Sequence, residues 1–257
     1  MADVLLFDLD ETLMVEEPAA VAAFHATARH AASSHDVDVA ALALGARARA
    51  RELWYASPTH PYCQRVGISS WEGLWCRYDA PGDDMGRLRA WAASYRREAW
   101  RLALADQGIA DDELAAGLGE RFMTERRARF EVFPDAAPVL HSLADRFVLG
   151  LVTNGASCLQ REKLRASGLA DMFDAVVVSG DVGEAKPSAL PFQRALTMLD
   201  ASHAVMIGDS FEKDIRGARA AGLDAVWVNR NGRPAPDGLD VPEVASLSEL
   251  PRVLALS

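Results

Sequence analysis

From residue 148 onward the chain repeats one pattern: a short apolar run, a polar residue at its end, then a helical segment. The runs are Val148–Val152, Ala175–Val178, Ala204–Ile207 and Ala225–Val228. Each is too short for a buried helix and shows no polar alternation, which predicts strands covered on both faces. Between them Ser157–Ser167, Ala189–Leu199 and Phe211–Ala221 read as helices, and Gly168 and Gly222 close two of these. Strands alternating with helices leave few solutions, of which the main one is an α/β fold with a doubly wound parallel sheet and right-handed crossovers. Val241–Ala245 is expected to add a weak edge strand, and Leu247–Leu256 a final helix.

The N-terminus supplies one more strand. Val4–Phe7 is apolar and runs directly into Asp8-Leu9-Asp10-Glu11-Thr12-Leu13. On an extended chain residues i and i+2 point the same way, so Asp8 and Asp10 are expected to face one site. Carboxylates held that close repel unless a cation joins them, and a hard divalent ion such as Mg²⁺ suits the pair. From Met14 to about Phe130 the texture changes. Alanine, leucine and arginine dominate, and Ala19–His30, Val37–Tyr55, Asp83–Leu104 and Asp111–Phe130 are expected helices. Ser57–Tyr62, broken by proline, reads as a loop. Residues 14–130 thus form a helical unit inserted into a Rossmann-like core made of 1–13 and 131–257.

The bulk charge excludes some partners. At a net −10 and a pI of about 5.1 the chain lacks the cationic surface that nucleic-acid binding needs. Three widely spaced cysteines give neither a metal knuckle nor a disulfide framework, and read as free thiols in a reducing compartment. No apolar run approaches the roughly 20 residues that span a bilayer, and Asp3, Asp8 and Asp10 stand where a signal peptide would need a basic, then apolar, start. The expected setting is the cytoplasm, with a small molecule as partner, no nucleic acid, no membrane, and a monomer or homodimer.

In an open parallel sheet ligands bind beyond the carboxyl ends of the strands. The polar residues of this chain fall there. Asp8 and Asp10 end the first strand, Thr153 and Asn154 the next, Lys186 lies in the loop Gly183–Pro187, and Asp209 follows Ile207 by two residues. Together these groups suit phosphoryl transfer through a covalent carboxyl-phosphate. Asp8 is the expected nucleophile. Asp10 is the expected acid to the leaving alkoxide and base to the hydrolytic water. Thr153 with the amides of Asn154 and Gly155 would hold phosphate oxygens at a helix N-terminus. Lys186 would set a point charge against the transferring group, and Asp209 would be a second acid on Mg²⁺. Only three of the 27 basic residues are lysines, Lys163, Lys186 and Lys213. At Lys186 a planar guanidinium would not replace the compact ammonium. Lys163 and Lys213 read as solvated helix residues, and Thr12 as a group satisfying the backbone around Asp8.

These stretches resemble the haloacid dehalogenase superfamily in its phosphatase branch. Phe7–Leu13 is similar to the first motif, Thr153-Asn154-Gly155 to the second, Lys186-Pro187 to the third and Gly208–Asp214 to the fourth, in the family's order. The resemblance implies Mg²⁺ held by Asp8, the backbone carbonyl of Asp10, and Asp209, with Asp214 at or near the metal. It also implies that the helical insertion is a cap over the active site. Dehalogenases of similar pattern lack an acid at the position of Asp10, since a departing halide needs no proton, so its presence favours phosphate esters. The cap size and Thr-Asn-Gly resemble the N-acylneuraminate-9-phosphatase and phosphoglycolate-phosphatase groups. The expected substrate is a sugar phosphate, a sugar-acid phosphate or a nucleoside monophosphate. The alternatives are a phosphomutase on the same core and a catalytically silent binding module.

Overall fold

The computed structural model describes residues 4–236 and 240–255. The chain divides into two compact units. One comprises the chain up to Val15 and from Glu131 onward, the other Glu16–Phe130. The first boundary lies two residues beyond the expected position, because the chain makes a small β-ribbon there. In it β2 (Met14–Val15) pairs antiparallel with β3 (Glu131–Val132). Two-residue strands leave no periodicity in the sequence, so the ribbon was not legible.

The α/β unit is built on a six-stranded sheet. Besides β1 (Val4–Phe7) it contains β4 (Val148–Thr153), β5 (Ala175–Val178), β6 (Val205–Gly208), β7 (Asp224–Val228) and β8 (Glu243–Val244). The order is β5-β4-β1-β6-β7-β8, and every neighbouring pair is parallel. The doubly wound parallel sheet expected from the alternation is the observed architecture. The N-terminal strand is central, flanked by β4 on one side and β6 on the other. Its side chains alternate between faces, as a pleated strand requires. Val4 and Leu6 join Met206, Trp227, Phe192 and Ile215 on one face. Leu5 and Phe7 point to the other and are equally buried.

The helical unit is described by itself. α1 (Glu17–Ala31), α2 (Val39–Ala56), α3 (His60–Val66), α4 (Ser70–Gly73), α5 (Asp83–Ala105) and α6 (Asp112–Arg127) follow in order. The four long helices pack as a ring of neighbours, α1 on α2, α2 on α5, α5 on α6 and α6 on α1. Phe24, Trp100 and Phe122 meet at its centre, with the Phe24 and Phe122 rings 4.4 Å apart. Glu16 and Arg126 form a buried ion pair. The expected loop at 57–62 is partly helical, since α3 begins at His60. Pro61 sits in its first turn, where a missing N–H removes no helix bond. Among the described residues no helix is long and apolar enough to cross a membrane.

Around the sheet lie α7 (Ala136–Ala144), α8 (Ser157–Ala166), the single turn α9 (Ser179–Val182), α10 (Ala189–Met198), α11 (Gly217–Ala220) and α12 (Leu250–Ala255). The expected helix at 211–221 is divided. Phe211–Arg216 is a wider π-type turn, in which both Asp214 and Ile215 donate backbone N–H groups to Ser210 O, and α11 continues it. Turns of this kind recur at functional sites.

Candidate active site

Asp8 follows β1 directly and is buried. Its backbone N–H donates to Ile207 O of β6 at 2.9 Å, which fixes the carboxyl at the middle of the sheet's C-terminal edge. Oδ1 accepts from Lys186 Nζ at 2.7 Å. Oδ2 has only a long contact from Thr12 Oγ1 at 3.5 Å, and among the described residues no closer donor. The hydroxyl of Thr12 also accepts the Asp209 N–H at 3.0 Å and so links the loops after β1 and β6.

Lys186 has three oxygens around its ammonium. Besides Asp8 these are Val152 O, which accepts from it at 2.6 Å, and Asp214 Oδ1, an ion-pair partner at 2.6 Å. Burial alone would lower its pKa, but Asp214 and Asp8 outweigh that and hold the ammonium above its ordinary value. Lys186 is carried by a loop that Asn154 grips from both sides. Asn154 Nδ2 donates to Lys186 O at 3.0 Å, and Lys186 N donates to Asn154 Oδ1 at 2.8 Å. The peptide bond between Lys186 and Pro187 is cis.

Asp209 and Asp214 complete an acidic trio. One oxygen from each of Asp8, Asp209 and Asp214 lies within 4.8 Å of the others. Asp214 is held by Ser210 N, which donates to Oδ2 at 3.0 Å. It packs so tightly on Gly208 that a Cβ there would come within 2.4 Å of its carboxyl group. Asp209 is tied through its backbone, with Trp227 Nε1 donating to its carbonyl at 2.9 Å, and Arg233 stands 3.4 Å from its carboxylate. Burial is the largest cause and, joined by repulsion from Asp214 and Asp209, outweighs the lowering by Lys186 and raises Asp8 to about 8. Burial and Asp214 raise Asp209 to about 7. Lys186 pairs with two of the three acids, Asp8 and Asp214, and oxygen donors with surplus negative charge at this spacing fit a divalent cation.

The expectation that Asp8 and Asp10 share one cation is corrected for the side chain of Asp10. β1 ends at Phe7, and the chain then turns through Glu11 at φ 61° and closes with Leu13 N and Met14 N donating to Leu9 O. The Asp10 carboxylate lies outside the acidic trio and meets a different ammonium. Lys163 Nζ donates to Oδ1 at 3.1 Å and to Oδ2 at 3.0 Å, and Gln160 Nε2 donates to Oδ2 at 2.9 Å. Lys163 is therefore not a solvated helix residue: its side chain is fully buried. Lys213 is exposed, as expected.

The second polar strand end is also arranged differently from the expectation. Gly155, at φ 138°, gives its N–H to Ser179 Oγ at 2.8 Å, so that amide is not open to a phosphate. A Cβ at Gly155 would press on Gln160 at 3.0 Å, and the positive φ itself favours glycine. Thr153 Oγ1 accepts from Gln160 Nε2 at 2.8 Å and keeps its own proton to donate. Gln160, Lys163, Ser179, Trp227 and Arg233 escaped the sequence reading. For Lys163 the signal was its rarity in an arginine-rich chain; the others lie on faces that only the tertiary packing defines.

Residues 2–222, which carry these acids and the lysine, match a family model described as haloacid dehalogenase-like hydrolase. The chain belongs to that family. A phosphoserine phosphatase of Thermus thermophilus is 40% identical over 90% of both chains. The human N-acylneuraminate-9-phosphatase is 35% identical over 62% of this chain and 67% of its own. The crystal structure of a 2-haloacid dehalogenase from Pseudomonas syringae superposes with a TM-score of 0.63 at 30% identity, covering 100% of this chain and 99% of that one. Family and relatives together support an enzyme of the phosphoric monoester hydrolase class.

Proposed function

We propose that this family member is a Mg²⁺-dependent phosphatase of small soluble phosphomonoesters that works through an aspartyl-phosphate on Asp8. The observation that carries the reading is the Asp8 carboxylate. It is buried at the end of the central strand, with Oδ1 bound to Lys186 and Oδ2 left with only the long Thr12 contact. An Oδ2 lone pair attacks phosphorus as the bond to the leaving oxygen breaks, and Asp10 gives its proton to that oxygen. Asp10 then takes a proton from the water that attacks the phosphoaspartate, which frees Asp8 and orthophosphate. Lys186 keeps its charge beside Asp8 throughout, and the hydroxyl of Thr153 and the amide of Asn154 are assigned to the phosphate oxygens. Asp8, Asp209 and Asp214 would hold the Mg²⁺, with the Asp10 backbone carbonyl, and when bound it neutralises charge on the phosphoryl group.

The helical unit 16–130 is assigned the role of the family's cap, the part that selects the leaving group. Phosphoserine heads the substrate panel because the phosphoserine phosphatase matches this chain over nearly its full length. Sugar phosphates, sugar-acid phosphates and nucleoside monophosphates complete it, and a cytoplasmic setting suits such metabolites. The haloacid dehalogenase neighbour makes halide displacement the second reading. Asp10 weighs against it, since a halide leaves without a proton. Purified protein with Mg²⁺ should release orthophosphate from a member of the panel, stop in excess chelator, and release no chloride from 2-chloropropionate. Orthophosphate from none of them would overturn the phosphatase reading; an isomerised phosphate ester in its place would make the enzyme a phosphomutase.

A further inference from the structure

The pair of side chains on the Asp10 carboxylate comes from one turn of α8. Gln160 and Lys163 are three residues apart, so both project from the same helical face. Between them they reach both carboxylate oxygens, at 2.9–3.1 Å. The same Gln160 nitrogen lies 2.8 Å from Thr153 Oγ1 and 2.8 Å from Asn154 O. One amide thus ties Asp10 to the strand end that carries Thr153 and Asn154. The burial is uneven in a telling way. Lys163 is 0% exposed, while the side chain of Asp10 keeps 24% of its surface open. The carboxylate is gripped from the interior and presents its outer edge.

A fully buried ammonium is costly unless paired, and an apolar side chain in its place would be the cheaper way to fill the core. The chain nonetheless keeps one of its three lysines here. The compact ammonium reaches both oxygens of one carboxylate from a confined hole. We infer that Lys163, with Gln160, is a positioning residue that holds Asp10 in line with the leaving-group oxygen of the phosphate ester. The inference rests on the reading of Asp10 as acid and base proposed above. A loosely held acid loses efficiency because proton transfer needs near hydrogen-bond geometry, and a displacement of about 1 Å is enough to cost on the order of 100-fold.

The test compares two esters that differ in their need for a proton. p-Nitrophenyl phosphate expels a stable phenolate without help, whereas an alkyl ester expels an alkoxide that needs the acid. The readout is the ratio of kcat/KM for phosphoserine, or the alkyl ester of the panel that turns over fastest, to kcat/KM for p-nitrophenyl phosphate. Asp10→Asn should lower that ratio strongly. Lys163→Met should lower it by about tenfold or more, a part of the factor of roughly 10²–10⁴ that a general acid supplies. Lys163→Arg, which retains a charged donor, should recover part of the loss. If Lys163→Met does not fold, Lys163→Gln takes its place with the same expected direction. An unchanged ratio in the Lys163 variants alongside a lowered ratio in Asp10→Asn overturns the positioning role and leaves the acid–base reading standing. An unchanged ratio in Asp10→Asn removes the acid–base reading and this inference with it.

Discussion

Lys186 and Gly208 show how little latitude single side chains have at the strand ends. The Lys186 ammonium lies within 2.7 Å of oxygens on Asp8, Asp214 and Val152. Lys186→Met keeps the stem but leaves two buried acids facing each other, and should lower kcat/KM by about 2–4 kcal/mol, the scale of one preorganised electrostatic donor. Lys186→Arg should rescue only partly, since its planar head does not fit among three oxygens arranged around a point. Lys213→Met, at an exposed position, should change kcat/KM by less than about threefold, and equal losses at the two lysines would refute the assignment. Gly208 tests the acidic trio by shape alone. An added methyl would collide with the Asp214 carboxyl. Gly208→Ala should therefore cost about 1–3 kcal/mol in chelator, read from denaturant midpoints. It should also weaken Mg²⁺ binding by displacing Asp214; full retention of that affinity would show that Asp214 is not held through Gly208.

At the scale of elements, the loops after β4 and β5 act as one piece because Asn154 and the Lys186 backbone exchange two hydrogen bonds. Asn154→Ala removes both and should destabilise the fold by about 1–3 kcal/mol, each net bond contributing on the order of 1 kcal/mol. If the exchange places the lysine, kcat/KM should fall tenfold or more at temperatures well below the unfolding midpoint. A stability loss with unaltered kinetics would make the contact merely structural. The same elements show what the sequence could reveal. Strands of the parallel sheet were legible because burial on both faces writes a continuous apolar run. The placement of Asp8, Thr153, Lys186 and Asp209 at strand ends followed from those runs. Pairings set by helix rotation were not legible. Which face of α8 meets Asp10 depends on how the helix packs on the sheet, so Lys163 read as one more solvated base. The direction of the Asp10 side chain was misread for a related reason. Its turn, closed by hydrogen bonds to Leu9 O, breaks the extended geometry that the i, i+2 rule assumes.

For the whole molecule, the acids at the strand ends couple stability to pH through Asp8 and Asp209 and, on the proposed metal site, to a cation. Asp8 and Asp209 are raised from 3.8 to about 8 and about 7, chiefly by burial. The folded chain then keeps protons that the unfolded chain releases above its ordinary carboxylate pKa. Stability from these two groups is fully present below that value and is lost as pH rises through the folded values. Lys186, raised in the folded state, contributes below its ordinary value of 10.5 and stays constant across this window. A divalent cation acts in the opposite sense. On the metal site proposed above it would bind with Asp8 and Asp209 ionised, so below neutrality it must displace their protons, and its apparent affinity should rise with pH. The stabilisation it gives grows with the ratio of free metal to Kd. The difference in Tm between protein in millimolar Mg²⁺ and in chelator should therefore widen from about pH 6 to about pH 8.5, the interval in which Asp8 and Asp209 shed their protons. Taking the difference cancels the titration of groups remote from the site. Asp209→Asn removes one of the two raised acids and one ligand, and should reduce both the difference and its slope with pH. A Mg²⁺ shift of equal size at both ends of that range would mean that the ion binds somewhere other than among Asp8, Asp209 and Asp214.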